Sequence, residues 1–193
     1  LFDPGQPGKG HFREIVYDPD WHTFPVREII HTGATAPATL TVAASYDPRF
    51  GVATSSTDFN GFVTSYGYDA FGRLTAMTKP PDTLPTVEYD YVLGRQLPTG
   101  TVINWIETRK REQDGSGTID SRLFYDGLGR TIMTRSEGEF PGQVVVTDTV
   151  VFNGRKLAWK KYLPCFETAP NLDFVEPTFN TGFTEHFRSE EHT

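Results

Sequence analysis

The sequence predicts an all-β chain, laid out as a strip of antiparallel β-hairpins, and three observations carry that prediction. Side chains alternate at period two, as where Phe62, Thr64, Tyr66 and Tyr68 fall on one face of an extended segment. Fifteen Phe and eight Tyr stand among 18 Gly and 14 Pro, a composition of strands and turns rather than helices. A short turn module, Tyr-Asp followed by Gly-Arg, also recurs along the chain.

In chain order, residues 1–10 are rich in Gly and Pro and read as a loop. Strands are expected over 12–17 and 26–31, around a turn at Asp18–Asp20. After a loop at 33–38, strands at 39–46 and 52–58 flank a turn at 48–51. Asn60-Gly61 is the strongest short hairpin signal, and one strand separates it from Gly72. Residues 79–85 form a Pro-rich connector. Strands then follow at 87–91 and at 102–111, the latter carrying Trp105. A turn at 114–117 leads into 119–125, where Ile119, Leu123 and Tyr125 share a face. Residues 144–152 read as one unbroken β-branched run, and beyond Pro164 the pattern fades into an irregular tail.

The module is complete twice, as YDAFGR (Tyr68, Asp69, Gly72, Arg73) and YDGLGR (Tyr125, Asp126, Gly129, Arg130). Asp in such a frame folds its carboxylate onto backbone N–H groups ahead of it, and Gly supplies a positive φ. Arg then opens the return strand within reach of the Asp and of an aromatic face. YDPRFG is a displaced copy (Tyr46, Asp47, Arg49, Gly51), and FNGR is a degenerate one (Phe152, Asn153, Gly154, Arg155). Tyr17-Asp18 and Tyr89-Asp90, the latter trailed by Gly94-Arg95, are partial copies. The Tyr-Asp pairs are spaced 29, 22, 21 and 36 residues apart, a repeat of about twenty residues with insertions.

These frames resemble the YD repeats of RHS proteins. The run from YDPRFG to FYDGLGRTIMTRSEGE resembles, more narrowly, the RHS region of bacterial toxin-complex B components, over roughly 12–163. The resemblance implies that the strip is part of a spiralling hollow shell that encloses a C-terminal toxic polypeptide. It implies as partners the rest of that shell, the enclosed toxic region and other toxin-complex subunits. It also implies a secreted or cell-surface bacterial protein, a structural role rather than an enzyme, and no cofactor. RHS proteins often carry an aspartyl self-cleaving site, and its motif is not visible here. The competing reading is a carbohydrate- or protein-binding module that presents Trp21, Trp105 and Tyr66.

Other chemistries find little support. A net charge of −7 disfavours nucleic acid, whose phosphates need an excess of Lys and Arg. No apolar run reaches the length of a membrane span. Residues 112–123 mimic a calcium loop through Asp114, Ser116 and Asp120, but Leu123 stands where a bidentate Glu belongs. GQPGKG lacks both the preceding strand and the Ser/Thr of a phosphate loop. His11, His22 and His31 are not at metal-ligand spacing. The lone Cys165 allows no internal disulfide and has no neighbouring His in sequence. The repeated Asp18, Asp47, Asp69 and Asp126 could suggest paired glycosidase carboxylates, but their shared turn context makes them caps.

Four segments are thus expected: 1–11 as a starting loop, 12–163 as the repeat region, 164–187 as an irregular tail, and 188–193. The last six residues, RSEEHT, match the translation of a common sequencing-adapter end. They are expected to be read-through at the end of a piece of a longer protein.

Overall fold

The computed structural model describes residues 11–32, 39–112, 115, 117–177 and 183–186, and among these every regular element is a β-strand. The chain divides into two compact units, residues 1–87 and 88–193.

In the first unit, β1 (His11–Tyr17), β2 (Pro25–Thr32), β3 (Thr39–Asp47), β4 (Val52–Thr57), β5 (Val63–Tyr68) and β6 (Leu74–Thr78) pair antiparallel in chain order. The register sorts the side chains onto two faces. Paired rows place Ile15, Val42, Tyr46, Tyr66, Tyr68 and Met77 on one face. They place Thr41, Ala43, Ser45, Ser55, Ser65 and Thr78 on the other. Neither face is covered: among the described residues of this unit only Val87 and Asp18 are buried.

The second unit has a different economy of surface. Its main sheet runs β7 (Val87–Gln96), β8 (Val102–Arg111), β9 (Thr118–Tyr125), β10 (Thr131–Glu137), β11 (Gln143–Thr147) and then β14 (Cys165–Thr168). A smaller sheet orders β12 (Val150–Phe152), β13 (Ala158–Tyr162) and β15 (Phe183–His186). One face of the main sheet contributes Ile103, Phe124, Met133, Val144 and Val146 to a buried cluster, and Leu172 from the following coil closes over it. Phe174, two residues on, meets Phe124 edge-on at 5.4 Å between ring centroids. Apolar area removed from water in this way is the main stabilising term available to such a sheet.

Several expectations are corrected here. The run 144–152 is not continuous. Asp148 takes a left-handed backbone (φ 54°), accepts hydrogen bonds from Thr134 and Thr147 through its carboxylate, and hands the chain from one sheet to the other. Asp tolerates that conformation, so the break is local chemistry masked by the valines around it. The strand expected at 87–91 continues to Gln96, with Gly94 at φ 66° inside it. The stretch beyond Pro164 contains β14 and β15, both paired into sheets. In β9 the buried side chain is Phe124, whereas Ile119 and Leu123 on the opposite face are exposed.

Candidate functional site: the Tyr-Asp turn module

Five hairpins carry an aromatic residue followed by Asp or Asn, and all five share a defect in register. Opposite Tyr17, Tyr46, Tyr68, Tyr125 and Phe152 the return strand holds one extra residue: Val26, Thr54, Thr75, Ile132 and Trp159 respectively. Each is a β-bulge, which bends the strand and increases its twist just beside the turn. The aromatic position is thus one side of a bulge as well as the lead-in to a turn. Nothing in the dipeptide itself announces the extra residue.

The turn beyond has a repeated hydrogen-bond scheme. In YDAFGR, the Asp69 N–H donates to the Arg73 carbonyl and the Gly72 N–H to the Asp69 carbonyl, both at 3.0 Å. The Asp69 carboxylate accepts from the Phe71 and Arg73 N–H groups, both at 2.9 Å. Asp126 repeats this with Leu128, Gly129 and Arg130. Gly72 and Gly129 sit at φ 75° and 76°, a region that a Cβ makes costly.

Both arginines close back on their carboxylates, Arg73 Nε at 2.7 Å from Asp69 and Arg130 Nη2 at 2.6 Å from Asp126. Burial alone would push both carboxyls up. The guanidinium and backbone donors outweigh it and hold both below the ordinary carboxylate range. Asp47 is lowered chiefly by its Arg49 side chain, which it binds at 2.7 Å, and its carbonyl accepts from Gly51.

The remaining copies vary this scheme. Asn153 caps the same loop, but Gly154 is not its turn glycine. Lys156 occupies the left-handed position (φ 65°), and Leu157 stands where Arg73 and Arg130 stand in theirs. Arg155 is the residue whose N–H reaches the cap, not the arginine that closes it. Asp58, with no tyrosine before it, builds the same loop through Asn60, Gly61 and Phe62. Tyr89-Asp90 is no turn at all. It lies within β7, where Asp90 binds Arg109 at 2.6 Å, and the hairpin turns instead at Leu97–Thr101. Asp18 caps the longest loop, accepting from Trp21, Thr23 and Phe24. Burial would raise its pKa, but these N–H groups and that of His22 bring it to about 2.

The turns are also linked to one another. Phe24 lies over Gly51, and Phe50 lies over Gly72 so closely that a Cβ there would come within 2.9 Å of its ring. The Tyr68 hydroxyl donates to the Ala53 carbonyl on β4 at 2.7 Å, and Tyr46 reaches Pro25 on β2 at 3.3 Å. In the second unit Arg130 stacks on the Phe152 ring, 3.7 Å from its centroid, and donates to the Lys156 carbonyl of the following turn. The module is a joint between neighbouring hairpins.

The other candidates are placed as follows. Trp21 is exposed, while Tyr66 is bonded to Ser56 and Trp105 packs against Phe124. His31 stacks on Phe12 at 3.8 Å, and His22 has a left-handed backbone in the Asp18 loop. Burial and the Glu167 charge push the Cys165 thiol up, away from thiolate character. In the calcium-loop mimic, Asp114 and Ser116 lie outside the described residues, and the Asp120 N–H donates to Glu137.

Comparison with known proteins follows the turns. Residues 46–80, which hold the Tyr46 and Tyr68 modules, match the family model of the RHS repeat. Residues 46–80 carry an RHS repeat. No curated protein matches it. Among solved structures it is similar to the TcdB2-TccC3 crystal structure at 17% identity, with a TM-score of 0.61 over 84% of this chain and 10% of that one. The same complex without its hypervariable C-terminal region aligns at 14% identity with a TM-score of 0.63, over 87% of this chain and 12% of that one. The Photorhabdus luminescens Tc holotoxin pore aligns at 15% identity with a TM-score of 0.61, over 87% of this chain and 12% of that one. This chain thus spans about a tenth of the length of the chains whose fold it shares.

Proposed function

We propose that this chain is a wall segment of an RHS shell in a bacterial toxin complex, and that the shell encloses a toxic C-terminal polypeptide. The observation that carries the reading is the strip β1–β6, whose described residues are left almost entirely unburied. Its hairpins are joined turn to turn by Phe24 on Gly51 and Phe50 on Gly72, yet among the described residues of the first unit only Asp18 and Val87 are buried. A hairpin alone is marginal, and repetition along a strip stabilises each unit through its neighbours. Closure into a wall also hides the strand edges that would otherwise recruit other chains. The partners are then further RHS repeats, the enclosed polypeptide and the other toxin-complex subunits, in a secreted or cell-surface setting.

Size-exclusion chromatography with light scattering tests the wall. The 12–163 region alone is expected to self-associate, and a version extended by flanking repeats is expected to give a soluble particle with an internal void. A compact monomer from 12–163 overturns the reading. Protease resistance of the C-terminal polypeptide in the extended particle tests enclosure separately. Among the described residues the 66% exposed Trp21 favours a binding module instead. Glycan-array binding that Trp21→Ala abolishes would support that reading.

A further inference from the structure

Gly94-Arg95 closes no Tyr-Asp turn, yet the backbone singles it out. Gly94 is left-handed (φ 66°) inside β7, and its N–H donates to the Asn104 side chain at 2.8 Å. A glycine of that kind within a strand marks a bulge or the close approach of another group, and a bulge re-aims the side chains beside it. Regular alternation would send residues 92 and 95 to opposite faces of the sheet. Val92 and Arg95 nevertheless line one cavity, together with Leu97.

That cavity has a volume of about 1010 Å³ and lies within the second unit, bounded by β7, β8, β9 and the coil at 173–174. Small-molecule sites occupy roughly 300–1,000 Å³, so there is room for a whole organic ligand. Trp105, Phe124 and Phe174 form the aromatic part of the wall. The Trp105 and Phe124 rings lie tilted at 5.9 Å, and Phe174 meets Phe124 edge-on, which suits a flat apolar partner in offset or edge contact.

The charged residues of the wall are Arg95, Arg122 and Asp173. Asp173 answers Arg122 at 2.7 Å, and that guanidinium lies over the Trp105 ring at 5.6 Å. Arg95 is exposed and has no ion pair among the described residues. The wall thus keeps one unanswered positive charge beside an aromatic surface. A guanidinium fork matches a carboxylate with two parallel hydrogen bonds. A sugar is poorly served, because Asp173 is committed to Arg122 and Gln96 is the single amide side chain on the wall.

We propose that this cavity binds a small organic anion with a flat apolar body and one carboxylate. The body lies against Leu97, Trp105 and Phe174, and the carboxylate pairs with Arg95. The aromatic wall supplies most of the affinity by removing apolar surface from water, and Arg95 supplies the preference for the acid over a neutral compound of the same shape.

Equilibrium dialysis of the 193-residue chain against β-naphthoate and against its neutral counterpart, β-naphthylmethanol, tests the site. The wild type should bind both saturably, the carboxylate several-fold more tightly, and cellotriose should not displace either. Arg95→Gln, at an exposed position, should abolish the preference for the carboxylate and leave the alcohol unaffected. Phe174→Ala should weaken both ligands several-fold, with Val92→Ala as the smaller cut in the same wall if that variant does not fold. No saturable binding, equal affinity for the two compounds in the wild type, or a preference that survives Arg95→Gln each overturns the proposal. So does displacement by cellotriose, or wall variants that bind both compounds as the wild type does.

Discussion

The two units are built from the same hairpin and treat one of its faces in opposite ways. The position before the module tyrosine is Val16, Ser45 and Gly67 in the first unit, none of them buried, and the buried Phe124 in the second. Around the former lie Ala43, Ser55, Ser65 and Ala76. Around the latter lie Trp105 and Met133, with Leu172 and Phe174 folded over them. The turn scheme at Asp69 and at Asp126 is nevertheless the same. The local module therefore dictates the hairpin, and the neighbouring residue decides whether that hairpin becomes part of a layered core or stays a single sheet. Fold and thickness are set independently.

The sharpest way to break this comparison is to truncate the core residue. Phe124→Ala should destabilise the second unit by about 3–5 kcal/mol, since it removes a buried ring and leaves a cavity beneath Leu172. Ser45→Ala, the corresponding change in the first unit, should stay within about 0.5 kcal/mol because that face is not packed. Urea titration monitored by circular dichroism reads both. Equal effects would mean that the first unit has a cover that the described residues do not provide.

The glycines come next in size. Gly129→Val imposes left-handed strain of roughly 1–3 kcal/mol, and its Cβ meets open space. Gly72→Val adds a clash with the Phe50 ring, so it should cost more than its twin. If the two midpoints shift equally, Phe50 moves aside freely and the turn-to-turn seat contributes little.

Acid should act on the turns in a set order. Asp18, Asp47, Asp69 and Asp126 all have folded pKa values below the ordinary range. For a depressed carboxyl the stabilisation is present above the unfolded pKa of about 3.9 and is lost as pH falls through the folded value. Unfolding midpoints should therefore hold level from pH 7 down to about 4 as far as these groups are concerned. The Asp18 contribution should persist until about pH 2. Asp18→Asn should flatten the acid limb between those values, and an unchanged limb would show that its backbone donors are not held in solution.

How far the sequence announces all this depends on whether the chemistry is local. The turns at Asp47, Asp69 and Asp126 are legible because an Asp, a Gly and the N–H groups they serve lie within five residues. Tyr89-Asp90 with Gly94-Arg95 misleads for the same reason: the dipeptides are present, but β7 runs through them and Asp90 answers to Arg109 across the sheet. The turn at 97–101 has no Asx residue to mark it. The Asp148 break sits between Val146 and Val150, where β-branched residues on both sides suggest continuity. The Arg135–Glu167 pair spans 32 residues and Leu172 joins cluster partners 26 and more residues away, and no window along the chain reveals them.

The smallest expected effect concerns the bulge itself. Gly67 pairs with Ala76, and the register slips between it and Tyr68, leaving Thr75 as the extra residue. Its backbone is not left-handed, and a Cβ there would meet Ala76 at 3.5 Å, an ordinary contact. Glycine within a strand is a poor choice on entropy alone, costing roughly 0.5–1 kcal/mol relative to Ala. Gly67→Thr should therefore be close to neutral, within about 1 kcal/mol in either sign, and well below the cost of Gly72→Val. The two effects oppose each other: β-branching favours the strand, while the added Oγ and Cγ must fit beside the Thr75 hydroxyl, 3.6 Å from the new Cβ. Chemical denaturation of both variants on one background decides it. A cost at Gly67 as large as that at Gly72 would show that the residue before the module tyrosine must be small for the bulge to form. Phe124, in the same position and fully buried, argues that it need not be.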